Sequence, residues 1–381
     1  MPSPTNSLKS LPSNLTKIRK RAGLTQRQLE DALEIGPGWV GLFETGVIVP
    51  SMEMLLAILC KTKAGLADLL GNSPQQETVG IKRNIFAKQD EEHLIVNFSY
   101  SRYDAEYKLS NGKLKDFDSV IKTMRDGLAR LDSPEDKEET IKSRAVEDAF
   151  MKAITLWPKA NPSDLWWFII YRAYCDPYNH PGKFARMNFT ESWKRTGGWA
   201  LERILVRHYS GFLKQKGIHL FIADAPAKQR LIKSLTVAGQ IVPDKVDVVL
   251  TGDTPDGEKM FGVVHVKASF AERRTDDVPM SEILTKEGYT SPLWTMDCKS
   301  TPSAHPVNRG ELGKNAGKLS EKRSDIEHGG KFTGCFSYNT NTLPTIGDLP
   351  AEQRIHVCNF QNPDDEFSKF IIARWKTFRN S

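Results

Sequence analysis

The sequence predicts an α/β chain, a mixed sheet of the α+β kind flanked by helices, preceded by a small all-α domain. Three observations carry this. Residues 241–250 and 262–269 are apolar runs of strand length, joined through the turn residues Gly252, Asp253, Pro255, Asp256 and Gly257. Residues 14–71 place Leu15, Ile18, Leu29, Ala32, Leu33, Val40, Phe43, Leu55 and Ile58 at helical spacing. From about residue 190 the pattern reads helix, strand, strand, strand, helix, strand. A sheet with helices on its faces buries such strands well.

The elements follow in order. Asn14 caps a first helix that Gly23 closes; Thr25 opens a second, with Gln28 at the capping-box position. A short third helix runs from Trp39 to Glu44, Ser51 caps a fourth, and 65–71 forms a last one. Residues 72–80 read as a linker, and 81–112 as strands with a turn at Asn111-Gly112. From Phe117 to Trp157 the period is helical, broken near Ser133-Pro134, and 162–174 is another apolar helix. Its Trp166, Trp167 and Phe168 suit either base stacking or core, with core the more frequent use of such a stripe. The expected domains are 1–72, a connector and helical region over 73–190, and 191–381.

With 381 residues, 26% of them charged and 39% hydrophobic, the chain supports two or three cores. A formal charge of +6 and a pI near 8.9 suit a polyanionic partner. The five cysteines stand singly, which indicates neither a zinc site nor a disulfide framework. No apolar run reaches membrane-spanning length, and residues 1–14 lack a signal-peptide pattern, so a cytoplasmic protein is expected.

Two adjacent strands bring acids and a lysine to one sheet end. Asp244 follows Pro243; Asp247 opens the apolar run. Lys267 ends the second strand, where an ammonium is costly unless paired. A carboxylate can hold a divalent metal and a lysine can orient a water beside it. Asp244 and Asp247 compete for the metal, since an odd separation keeps them off one strand face.

Residues 14–71 resemble the lambda-repressor/Cro-like helix-turn-helix domain. Arg19, Arg21, the run Leu24-Thr25-Gln26, Leu29 and the tail Glu44, Gly46, Pro50, Ser51 and Leu55 carry the likeness. That resemblance implies a phosphate contact for Gln26 and a groove-facing third helix headed by Trp39. Residues 37–41 hold almost none of the side chains that read base edges, so a docking or dimerising module is the other reading.

Residues 190–345 resemble type II restriction endonucleases of the PD-(D/E)xK class, in particular the BsaWI-like family of the CCGG-recognising group. The matching blocks are 243–247, 264–279, 295–299 and 307–313. The resemblance implies Mg²⁺, double-stranded DNA, 5′-phosphate products, a homodimer and a companion methyltransferase. His265 stands where the usual acid precedes the lysine, and histidine is a poor magnesium ligand. It suits a phosphate contact or a packed core position. The resemblance moves the missing acid to the following helix, where Glu282 is the nearest fit, Glu272 the runner-up, and Glu202 assists from the preceding helix. Arg273, Arg274, Asp276 and Asp277 form the expected base-reading cluster, or alternatively a salt-bridged helix start. Asn308, Arg309 and Glu311 are further DNA-facing candidates, and Asp297 with Lys299 mimics the motif on the last strand. The competing reading of the whole chain is a helix-turn-helix transcriptional regulator with an inactive nuclease-like domain.

Overall fold

The computed structural model describes residues 4–62, 64, 83–100, 103–182, 187–222, 225–270, 274–313 and 320–380. It divides into two compact units, Met1–Lys82 and Arg83–Ser381.

The first unit contains α1 (Pro4–Arg21), α2 (Gln26–Leu33), α3 (Trp39–Thr45) and α4 (Met52–Thr62). α1 begins ten residues before the expected cap at Asn14, which is buried inside it. The reason is the apolar stripe: Leu11, Leu15 and Ile18 recur at helical spacing and all enter the core, so the helix extends back past Asn14. Pro12 removes one ladder hydrogen bond from it. Thr25 and Gln28 form the expected capping box, and Ser51 Oγ accepts the Met54 N–H. The helix expected over 65–71 and the linker over 72–80 lie outside the described residues.

The second unit opens with an antiparallel meander of β1 (Ile85–Asp90), β2 (His93–Tyr100) and β3 (Tyr103–Ser110). Asn111-Gly112 does not join two strands; it ends β3 and leads into α5 (Leu114–Ala129). α6 (Glu138–Leu156) and α7 (162–174, with a π turn at Leu165–Ile170) follow, then α8 (Phe189–Lys214). The main sheet has six strands in chain order: β4 (Ile218–Phe221), β5 (Val248–Thr254), β6 (Gly257–Lys267), β7 (Leu293–Thr295), β8 (Cys335–Ser337) and β9 (Ile355–Val357). β4, β5 and β6 pair antiparallel, and β6 to β9 pair parallel. α9 (Ala225–Lys233) and α10 (Arg274–Lys286) are inserted along the way; α11 (Glu321–Glu327) precedes β8, and α12 (Glu366–Asn380) closes the chain. Among the described residues no helix is long and apolar enough to cross a membrane.

Alternation along the strands builds two cores. Val248, Leu250, Val264 and Val266 face a core shared with α5 to α8, the meander and α12. Val249, Met260 and Val263 face the other side, with Ile232 of α9 and Met280 and Leu284 of α10. Trp166 and Phe168 are buried in the first core. Residues 83–190, most of the expected connector and helical region over 73–190, share one core with the main sheet. Gly252 lets α12 approach β5: a Cβ there would lie 2.4 Å from the Trp375 ring.

Candidate active site

The site lies where β5 begins and β6 ends. Pro243 fixes a 3₁₀ turn over Pro243–Lys245, so the regular strand starts only at Val248. Asp244 consequently sits on that turn, exposed to solvent. Asp247, next to the strand, turns inward to the face that Val249 also uses. Its Oδ2 accepts the Val266 N–H at 2.8 Å and the Lys267 ammonium at 2.5 Å.

His265 and Lys267, two residues apart, share that face. Above it lies α10, whose buried stripe is Asp277, Met280, Ser281 and Leu284. Asp277 Oδ2 stands 3.5 Å from Lys267 Nζ, and its Oδ1 is 3.6 Å from His265 Nδ1. His265 Nε2 engages Ser291 Oγ at 2.9 Å, and its ring meets Phe332 edge-on. The histidine is thus packed, bridging β6 to the helix. Asp247, His265 and Asp277 bring one ligand atom each to within 4.8 Å of one another. Burial pushes the Asp277 carboxyl up, but the His265 hydrogen bond and the Lys267 charge outweigh it and hold it below the usual carboxylate range.

Of the other expected acids, Glu282 and Glu202 do not join this group. Glu282 is five residues from Asp277, about 140° around an α-helix, and pairs instead with Lys331. Glu202 is on α8, whose Leu201, Ile204 and Leu205 pack against the opposite face of the sheet. Glu272 and Arg273 lie outside the described residues, as does the side chain of Arg274. Asp276 points away from Asp277 and pairs with Lys245 at 2.7 Å. Asp277, expected to read bases, is thereby the acid that the structure sets beside Lys267.

Among the described residues Asp297 joins no group of metal-ligating side chains. It is buried, adopts a left-handed backbone with φ of 45°, and accepts the Glu311 N–H (2.5 Å), the Leu312 N–H (3.2 Å) and the Thr342 hydroxyl (2.6 Å). Asn308 is buried too, bonded to Ser163, while Arg309 is exposed. Glu311 accepts from Ser269 and pairs with Lys322.

In the first unit Gln26 Nε2 donates to Glu44 Oε2 at 2.8 Å, and Arg19 pairs with the same carboxylate. Burial raises the Glu44 carboxyl, but the hydrogen bonds from Arg19 and Gln26 and the Arg19 charge bring it below its ordinary value. Glu30, which sequence reasoning passed over, accepts the Gly38 and Val40 N–H groups and so caps α3. Trp39 is 44% exposed.

Residues 14–72 match the helix-turn-helix domain family. The type II restriction enzyme AgeI of Thalassovita gelatinovora is 40% identical over 250 residues, which are 61% of this chain and 85% of that protein. Among solved structures, the crystal structure of a specific AgeI–DNA complex aligns with a TM-score of 0.65 at 34% identity, covering 74% of this chain and 99% of that one. A pre-specific BsaWI–DNA complex aligns with a TM-score of 0.36 at 17% identity, covering 70% of this chain and 95% of that one. With that identity across most of AgeI, the chain belongs to the family of the type II restriction enzyme AgeI and is a type II restriction endonuclease.

Proposed function

We propose that residues 83–381 hydrolyse both strands of DNA with Mg²⁺ at a target containing CCGG, leaving 5′-phosphate and 3′-hydroxyl ends. The observation that carries this is the buried group of Asp247, Lys267 and Asp277. A divalent ion fits it: Asp277 Oδ2 is buried with no hydrogen bond, facing only the Lys267 ammonium at 3.5 Å, and hard carboxylate oxygens suit Mg²⁺. Asp247 and Asp277 would hold the ion, while His265 keeps Asp277 in place. When bound, the ion lowers the pKa of a coordinated water and offsets phosphate charge.

Lys267 would hold the attacking water against phosphorus; the water gives up a proton to solvent as the new P–O bond forms, the bond to the 3′ oxygen breaks, and that oxygen takes up a proton from solvent. Its ammonium also stabilises charge on the phosphate oxygens. One chain supplies one such group among the described residues, so two strands require two copies. A homodimer with two-fold symmetry, acting on a palindrome in the cytoplasm, follows. The CCGG target rests on the likeness of the 264–279 block, in which Arg273 and Arg274 are the candidate base readers. The helix-turn-helix unit adds DNA contact or regulation, and a cognate methyltransferase protects the host sequence.

The test is incubation of unmethylated DNA of varied sequence with the protein and Mg²⁺, followed by sequencing of the ends. Discrete cuts at CCGG-containing sites are expected, slowed roughly 10²–10³-fold in Lys267→Ala. An absence of discrete cleavage would contradict the activity; equal cutting by the variant would contradict the site.

A further inference from the structure

The segment just beyond β7 folds back on itself as a narrow ribbon held by one isolated bridge. Ser300 and Asn308 pair as an antiparallel bridge. The Thr301 N–H donates to Val307 O (3.4 Å), and the Gly310 N–H to Lys299 O (3.2 Å). Alternation then assigns two faces. Ser300 and Asn308 turn inward, where Ser300 Oγ accepts the Trp167 indole N–H (2.8 Å) and Asn308 Nδ2 donates to Ser163 Oγ (2.7 Å). Lys299, Thr301, Val307 and Arg309 are all exposed.

The ribbon is held rigidly at its root, its edge and its tip. Asp297 gathers the backbone of Glu311 and Leu312 beneath it, and Asn339 Nδ2 donates to the carbonyls of Asp297 and Asn308. At the tip, the Ala304 carbonyl accepts the Glu106 N–H of β3 at 2.9 Å. The root is tied to the catalytic strand, since Met296 N–H donates to Lys267 O and Cys298 N–H to Ala268 O. A polar surface thus stands next to the strand end that carries Lys267, at the carboxyl ends of parallel strands, where α/β folds bind ligands.

We propose that this ribbon enters the DNA major groove and reads base edges through Arg309, with Lys299 on a flanking phosphate. The groove admits a two-stranded ribbon, and its guanine edge takes an arginine bidentately. Thr301 and Val307 offer a hydroxyl and an apolar contact of the kind thymine methyl groups accept. Lys299 is only loosely held, 3.8 Å from a Glu311 carboxylate that Lys322 approaches to 2.8 Å. The inference rests on the DNA-cleaving activity.

The experiment uses the full chain on its cleavage site and on duplexes that each change one base pair. Binding is read with Ca²⁺ and cleavage with Mg²⁺. Arg309→Ala is expected to weaken cognate binding roughly tenfold to a hundredfold and to erase discrimination at one guanine-containing pair only. Replacing that guanine by 7-deazaguanine is expected to weaken the wild type but not the variant further. Arg309→Lys is expected to recover only part of the affinity and of the discrimination, because an ammonium spans guanine O6 and N7 less rigidly than the planar guanidinium fork. An unchanged preference at every position in Arg309→Ala, whatever the overall loss, would overturn the proposal and leave only a phosphate contact. Failure of the wild type to cut any duplex would instead count against the activity.

Discussion

Lys267 ends β6 with its ammonium inside the protein, and such a charge persists there only because Asp247 and Asp277 surround it. Removing it deletes a pre-organised cation, so Lys267→Ala is expected to lower the cleavage rate by roughly 10²–10³-fold, measured in single-turnover assays. Asp247 was legible as the residue opening an apolar strand, and Lys267 as a lone charge within one. Asp277 was readable as well, because Met280, Ser281 and Leu284 follow it at helical spacing and mark a buried face. Distance from the lysine along the chain pointed to Glu282 instead, and chain distance says nothing about which side of a helix a residue occupies. Asp164 shows what a sequence cannot convey at this scale. Burial lifts its carboxyl to about 7, with Asn308 and Asn161 pulling it back only in part. Its folded value exceeds the unfolded one, so its contribution is intact below about pH 4 and is lost as pH rises through 7. Asp164→Asn is therefore expected to gain stability over the wild type between pH 4 and 7 and no further gain above, as read by urea denaturation at each pH.

At the level of elements, the Asp297 junction orders the loop that follows β7. Two backbone N–H groups and one hydroxyl converge on a single buried carboxylate. Asp297→Ala leaves those donors unpaired and is expected to cost about 2–4 kcal/mol in a denaturant titration. Gly310 belongs to the same construction. Its φ is +72° and a Cβ would lie 2.1 Å from Asp297 Oδ2, so Gly310→Ala is expected to lower the melting temperature as well. Much of the strand and helix order from residue 190 was legible because apolar runs and turn residues alternate there, but α9, between β4 and β5, was not read. The 3₁₀ turn at Pro243 and the early start of α1 were less so, since each depends on what the neighbouring chain packs against. The short strands β8 and β9, three residues each, carry too little periodicity to be read at all.

At the scale of the molecule, the long core joining the meander, α5 to α8 and the sheet makes residues 83–381 one unit. Composition could not reveal this, because a connector and a core helix hairpin have the same hydrophobic period. If two copies act on the two strands, cleavage of a supercoiled plasmid is expected to give linear product directly at high protein concentration. Nicked circles should accumulate as the dimer is diluted, which gel quantification across a protein titration checks. Asp247, Lys267 and Asp277 are the proposed phosphodiesterase site. Its most direct measurement is single-turnover cleavage of one duplex in Mg²⁺ by the wild type, Asp277→Asn and Glu282→Gln. A loss of at least about a hundredfold is expected for Asp277→Asn, the upper range for removing even an outer partner of a metal site, and near wild-type cutting by Glu282→Gln. The reverse pattern, with Glu282→Gln inactive and Asp277→Asn active, would contradict it.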